Sequence, residues 1–239
     1  MSTKIAIILP TYRRSDGKTY DYLTLCLTSI KIQTHQNFKV FLIGDKYEDQ
    51  SEFDYFAKSF LDPEQIAAVN LQYAFERDRY PIDSLELWCS GGVHATNVGI
   101  DIAVGHGFEY ICKIDHDDYW EPDHLEQINS VIEQKQNPAF IHTCSTYGTN
   151  VLPYNTIFDS DLVVEAFPIP GNIAHSSVCY SIKQLPFLYE DTFARLGLHQ
   201  PADAYMWEKM YEHMVENNLK SYFVRKVTCH HPYEYIYNR

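Results

Sequence analysis

The chain of 239 residues has no basic tract, and its 19 lysines and arginines stand against 32 acids, a net charge of −13. The electrostatic footprint of a general nucleic-acid binder is therefore missing. No segment reaches the roughly 18 consecutive apolar residues of a membrane span. Met-Ser-Thr-Lys at the start is followed by an apolar run too short for a signal-peptide core and cleavage site. A cytoplasmic protein with no transmembrane segment is the expectation. Peripheral membrane association stays open, as does whether this chain is one module of a larger polypeptide. The cysteines at 26, 89, 112, 144, 179 and 229 form no CxxC pair and lie mostly in apolar stretches. They read as reduced core thiols rather than zinc ligands or a disulfide framework. Internal repeats and low-complexity linkers are absent, so residues 1–239 are expected to form a single domain.

What is present suits one soluble core: 45% hydrophobic residues and 21% charged. Ile5-Ala-Ile-Ile-Leu9 and Lys39-Val-Phe-Leu-Ile43 are continuous apolar runs, the pattern of strands buried on both faces. Residues 20–34 place Leu23, Leu27 and Ile30 at helical spacing, and Val93–Gly105 does the same with Val93, Asn97, Ile100 and Val104. A short helix is expected over 51–60, a strand over Ala67–Tyr73 and irregular chain over 75–92. Further strands are expected at 109–114, 139–146 and near 161–167, with an edge strand at Val178–Ile182 and a last strand at Tyr222–Val227. Pro122 opens a helix to about Gln134, and a helix follows Asp203. Strands and helices alternating over the first 145 residues argue for an open, mixed and mostly parallel α/β sheet flanked by helices. Ligands in such sheets bind beyond the carboxyl ends of the strands. Three polar groups fall at such ends: Thr11-Tyr-Arg-Arg14, Asp45, and Asp115–Asp118.

The last of these is the most informative. Tyr110-Ile-Cys-Lys-Ile-Asp-His-Asp-Asp118 runs from an apolar stretch into three carboxylates within four positions. Like charges this close repel, and a hard divalent cation relieves them through oxygen ligands. Were the strand to continue, Asp115 and Asp117 would face one side and His116 the other. The alternative is a solvated acidic turn that caps the next helix.

The order of these segments resembles glycosyltransferase family 2, whose members have the GT-A fold. The resemblance is carried by Ile7-Ile-Leu-Pro-Thr-Tyr-Arg13, Cys26-Leu-Thr-Ser-Ile30 with Gln33-Thr34, the strand ending at Asp45, Asn97-Val-Gly-Ile100, and Asp115-His-Asp-Asp118 with Trp120 and Pro122. It is good over residues 4–135 and thinner beyond. The family's Asp-Asp-Gly-Ser is here Asp45-Lys-Tyr-Glu48, which leaves the base less defined. The resemblance implies that about 1–145 bind the nucleotide sugar and about 146–239 form the acceptor side. Pro10, Thr11, Tyr12 and Arg13 would meet the nucleotide, with Tyr12 stacking on the base and Arg13 or Arg14 near the phosphates. Asp45 would accept from a base N–H, and Asn97 would lie on the donor side. Asp117 is the implied metal ligand. Asp115 would hold the metal, a metal-bound water, ribose or sugar, and Asp118 would touch the sugar or cap a helix. One of His230 and His231 would complete the metal shell, and His175 and Ser176 would touch the acceptor. Asp203 is the implied general base, although a helix N-cap explains it equally; Glu190-Asp191 is the rival pair.

The resulting expectation is an inverting glycosyltransferase, dependent on Mn²⁺ or Mg²⁺, with a nucleotide-diphosphate sugar as donor, UDP-linked by preference, and a glycan or other hydroxyl as acceptor. Two alternatives stand beside it. A nucleotidyltransferase would use similar carboxylates, but a Gly-rich basic loop after the first strand is missing. A non-catalytic nucleotide-sugar or glycan-binding protein could keep the same fold.

Overall fold

A computed structural model describes residues 3–154 and 163–232. In chain order the elements are β1 (Ile5–Thr11), α1 (Thr19–Lys31), β2 (Phe38–Gly44), α2 (Gln50–Ser59), β3 (Ile66–Asn70), α3 (Phe75–Arg79), α4 (Leu85–Ser90), α5 (Val93–Gly105) and β4 (Tyr110–Lys113). There follow β5 (Tyr119–Trp120), α6 (His124–Gln134), β6 (Phe140–Tyr147), β7 (Asn150–Leu152), β8 (Val163–Glu165), β9 (Val178–Ser181), α7 (Thr192–Leu196), α8 (Ala202–Glu216) and β10 (Ser221–His231).

One sheet runs in the order β3-β2-β1-β4-β9-β6-β10-β5, with β7 beside β6 and β8 beside β10. Strands β3, β2, β1 and β4 are mutually parallel, as are β6 and β10. Alternation along β1 feeds two cores. Ile5, Ile7 and Leu9 pack with Leu23, Leu27 and Ile30 of α1, Phe53 and Phe56 of α2, and Leu125 and Ile128 of α6. Ala6 and Ile8 face the other side, with Ile100 and Ala103 of α5 and Trp207, Met210 and Met214 of α8. The sheet is thus covered on both faces, which is why its central strands read as unbroken apolar runs.

Two expectations are corrected. Val178–Ser181 is not an edge strand: β9 lies antiparallel between β4 and β6, with all four residues buried. Residues 75–92 are not irregular throughout but hold the short helices α3 and α4. The strand expected near 161–167 begins, within the described residues, at Val163.

Candidate active site

The carboxyl ends of β1, β2 and β4 lie side by side. β4 pairs with β1 only as far as Ile8–Lys113, after which the chain leaves the sheet. Pro10 exploits that departure. Its position would direct an N–H toward the β4 side, where no ladder partner remains, so proline costs no hydrogen bond. On the β2 side Asp45 N–H donates to Thr11 O at 2.7 Å, and the Thr11 and Tyr47 hydroxyls lie 2.7 Å apart. Gly44 is required between them: a Cβ there would sit 2.7 Å from the Phe53 ring and 2.9 Å from Asn70 Oδ1.

Asp45 is buried, with Oδ2 accepting from Arg77 Nε at 2.8 Å and its main-chain oxygen accepting from Arg77 Nη2. Its Oδ1 is buried with no hydrogen-bond partner among the described residues. Burial pushes the Asp45 carboxyl up, against the opposing pull of Arg77. The Arg77 guanidinium also lies 4.7 Å from the centre of the Tyr12 ring, within cation–π range. Tyr12, Asp45 and Arg77 thereby form one corner with an acceptor oxygen, a ring face and a cation. Arg77 was missed in the sequence because it lies in a five-residue helix with no amphipathic pattern.

Beside that corner the strand does not continue through the acids. β4 stops at Lys113, and Asp118 N–H donates to Asp115 O at 3.0 Å, closing a turn. The expected alternation therefore fails. His116 is buried and meets the Tyr12 ring edge-on at 4.9 Å, and burial pushes its pKa down. Asp115 is drawn aside: Lys113 Nζ binds its Oδ1, and its N–H donates to Ser176 Oγ at 2.9 Å. Burial raises the Asp115 carboxyl, Lys113 foremost opposes it, and the net shift is downward.

The turn instead aims Asp117 and Asp118 at β10. One ligand atom from each of Asp117, Asp118 and His231 falls within 4.8 Å of the others. His231 Nδ1 lies 2.6 Å from Asp118 Oδ1, and its ring stacks on Tyr147 at 4.6 Å. Burial, with Asp117 and Asp115 adding to it, pushes the Asp118 carboxyl up to about 6 against the bond to His231. Burial depresses His231 in turn, but Asp118 more than compensates and raises it. Two carboxylates and an imidazole crowded this closely make a donor set that fits a divalent cation.

Adjacent residues of a strand face opposite sides, which separates the two histidines. His230 stacks on Tyr119 at 4.7 Å and meets Glu121 Oε1 at 2.8 Å and Thr146 Oγ1 at 3.0 Å, outside the cluster. The arginines divide likewise. Arg13 is 61% exposed beside Glu52, whereas Arg14 Nη1 donates to Asp117 Oδ2 at 3.3 Å. Asn97 does not face the cleft with a free amide: its Oδ1 accepts from Tyr189 N–H and its Nδ2 donates to Tyr189 O, both at 2.9 Å. His175 and Ser176 lie beneath Asp115, in the turn that leads into β9.

Asp203 is not an N-cap. Pro201 occupies that position, and Asp203 lies in the first turn of α8, where Oδ1 accepts from Ala204 N–H at 2.8 Å. A helix N-terminus would lower its pKa; burial dominates and raises it, with Lys113 opposing and Asp115 adding. The rival acids have structural partners. Glu190 pairs with Lys209 and Arg195, and Asp191 caps α7 through Ala194 N–H while holding Arg79 and Tyr80.

Comparison with known proteins decides what this arrangement belongs to. An uncharacterized glycosyltransferase of Acanthamoeba polyphaga mimivirus is 36% identical over 238 residues, 97% of this chain and 94% of that protein. The chain belongs to the glycosyltransferases. No family model matches this glycosyltransferase. Among solved structures it resembles S. aureus TarS 1–349 in complex with UDP-GlcNAc (TM-score 0.64, 16% identity). It also resembles the mannosyltransferase PcManGT of Pyrobaculum calidifontis in complex with GDP-Man and Mn²⁺ (TM-score 0.61, 14% identity). It covers 95% and 96% of itself in these matches but only 58% and 57% of those chains. The mixed α/β sheet is therefore the GT-A fold. Among the described residues no helix is long and apolar enough to cross a membrane.

Proposed function

We propose that this enzyme is an inverting, metal-dependent member of glycosyltransferase family 2 that moves a sugar from a UDP-sugar to an acceptor hydroxyl. One observation carries the reading. The Tyr12–Asp45–Arg77 corner and the Asp117–Asp118–His231 cluster meet where Tyr12 packs on His116 and Arg14 bonds Asp117, and Asp203 lies close enough to Lys113 and Asp115 to feel their charges. The similar proteins named above were solved with UDP-GlcNAc and with GDP-Man and Mn²⁺.

The base would lie against Tyr12. Asp45 has one oxygen committed to Arg77 and one with no partner among the described residues. A single acceptor matches the one imide N–H of uracil better than the paired donors of guanine, which supports a UDP donor. Asp117, Asp118 and His231 would hold Mn²⁺ or Mg²⁺, and such an ion neutralises charge developing on a diphosphate leaving group. The nitrogen ligand favours Mn²⁺. Arg14 would reach a phosphate only by leaving Asp117. Asp203 would accept the proton of the acceptor hydroxyl as that oxygen attacks the anomeric carbon from the face opposite the diphosphate. Its raised pKa brings it closer to the working pH of a general base.

A panel of UDP- and GDP-sugars, incubated with Mn²⁺ and simple glycosides, tests this by nucleotide release and by the anomeric configuration of the product. UDP release with inversion is expected. Pyrophosphate release from a nucleoside triphosphate and a sugar phosphate would make the enzyme a nucleotidyltransferase. Donor binding with no turnover would make it a binding protein.

A further inference from the structure

Lys113 ends β4 with its side chain inside the protein, 5% exposed. A buried ammonium needs close partners, because an uncompensated charge in the interior is strongly unfavourable. Two groups supply them: Asp115 Oδ1, and His175 Nδ1 at 2.8 Å. An ammonium only donates, so His175 Nδ1 accepts and the ring proton resides on Nε2. That Nε2–H then donates to the Tyr189 hydroxyl at 2.6 Å. Burial, with Lys113 adding to it, keeps His175 neutral, its pKa pushed down to about 3. The lysine thus fixes the direction of each bond in the chain.

The ends of the chain are anchored too. Asn97 of α5 holds the main chain of Tyr189 from both sides, and Ser176 holds the Asp115 N–H. Trp207 packs edge-on against His175 at 5.7 Å and against Tyr189 at 6.1 Å. Trp207 lies four residues after Asp203 on α8, so the two side chains share a face of the helix. A continuous set of packed groups therefore joins Asp115, beside the cation cluster, to the helix face that carries the candidate base.

We propose that Lys113 is a positioning residue for sugar transfer, an inference that rests on the function proposed above. Its ammonium keeps Asp115 out of the cation's shell and available to a donor hydroxyl. Through His175, Tyr189 and Trp207 it also sets the separation between Asp115 and Asp203. A neutral residue at 113 leaves Asp115 uncompensated beside Asp117 and Asp118, a cluster of three carboxylates that attracts a cation more strongly than two.

Lys113→Met, Lys113→Arg and Tyr189→Phe test this against the wild-type enzyme, with free Mn²⁺ followed by electron paramagnetic resonance, donor kinetics and thermal unfolding. Lys113→Met is expected to bind Mn²⁺ about tenfold more tightly as ligand charge rises. Its kcat should fall about 100-fold while KM moves less, the signature of misplaced groups rather than lost binding. Lys113→Arg should return Mn²⁺ affinity to the wild-type value and recover part of kcat. Tyr189→Phe keeps the ring and should lower kcat about tenfold, the worth of one buried hydrogen bond, with Mn²⁺ affinity unchanged. Unchanged Mn²⁺ affinity and kcat in Lys113→Met overturn the inference. If that variant does not fold, wild-type kcat in both Lys113→Arg and Tyr189→Phe overturns it instead. A wild-type enzyme that neither binds Mn²⁺ nor consumes a donor removes the proposed function itself, and the inference with it.

Discussion

Among the described residues no cationic side chain is bonded to Asp203; its hydrogen bond comes from a backbone N–H. Asp115, Asp117, Glu190 and Asp191 each engage a lysine or arginine. A general base typically contributes about 10²–10⁴-fold, so Asp203→Asn should lose at least the lower bound in kcat with little change in donor KM. Steady-state kinetics decide this, and near-normal turnover would leave Asp203 a helix-terminus residue alone. Glu76 gives a second test at the same scale. It is buried, Oε1 accepts from His94 N–H at 3.1 Å, and Oε2 has no hydrogen-bond partner among the described residues. Burial raises its pKa from 4.5 to about 7. The folded state therefore holds a proton that the unfolded chain releases, so this group's contribution to stability is intact below pH 4.5 and is lost as pH rises through 7. The loss is on the order of 3 kcal/mol. Urea unfolding at pH 5 and pH 8 should show the slope in wild type and a flatter profile in Glu76→Gln. At this scale the sequence offered the right residue types but not the choice between neighbours. Arg14 rather than Arg13, and His231 rather than His230, meet the acids because of which way each backbone faces, and no composition or spacing specifies that.

Helix α5 shows how closely an element must approach the sheet to deliver the site. At Gly99 an added Cβ would stand 2.7 Å from Ile8 Cγ2 and 3.2 Å from Ile43 Cγ1. Both isoleucines lie in the core and are stiff at χ1. Gly99→Ala should destabilise by about 1–3 kcal/mol through overpacking, despite alanine's better helix propensity. Chemical denaturation measures it, and a stabilised variant would mean that α5 can move off the sheet. The long elements were legible because their patterns are strong: β1, β2, α1 and α5 all appear where apolar runs and spacing put them, and α6 starts just after Pro122. Two others were not. The sequence pattern gives β9 as an edge strand, yet Val178-Cys-Tyr-Ser181 is buried throughout between antiparallel neighbours. An unbroken apolar run was a signal for a central strand, but strand order depends on pairings more than 30 residues apart in sequence. The helices α3 and α4, only five and six residues long, were hidden by Pro81 and by charges on either side. Arg77 was lost with them.

For the molecule as a whole, the parallel strands bring their carboxyl ends to one edge, and that edge concentrates the charge. The chain carries −13 overall, and three of its acids crowd into the turn at Asp115–Asp118. Binding a nucleotide diphosphate there requires local positive charge, and Arg14, Arg77 and Lys113 are already committed to Asp117, Asp45 and Asp115. On the proposed reading, the missing charge comes from a cation on Asp117, Asp118 and His231. That requirement is the central claim, and donor binding measured with and without metal tests it most directly. Thermal unfolding should be followed with UDP-sugars in Mn²⁺ and in EDTA, for wild type and Asp117→Ala. A ligand at 100 times its Kd stabilises the folded state by about 2.7 kcal/mol, a readily measured shift. A UDP-sugar that stabilises wild type in Mn²⁺, but neither wild type in EDTA nor Asp117→Ala in Mn²⁺, is the predicted result. Equal stabilisation in EDTA, or in Asp117→Ala, would contradict it.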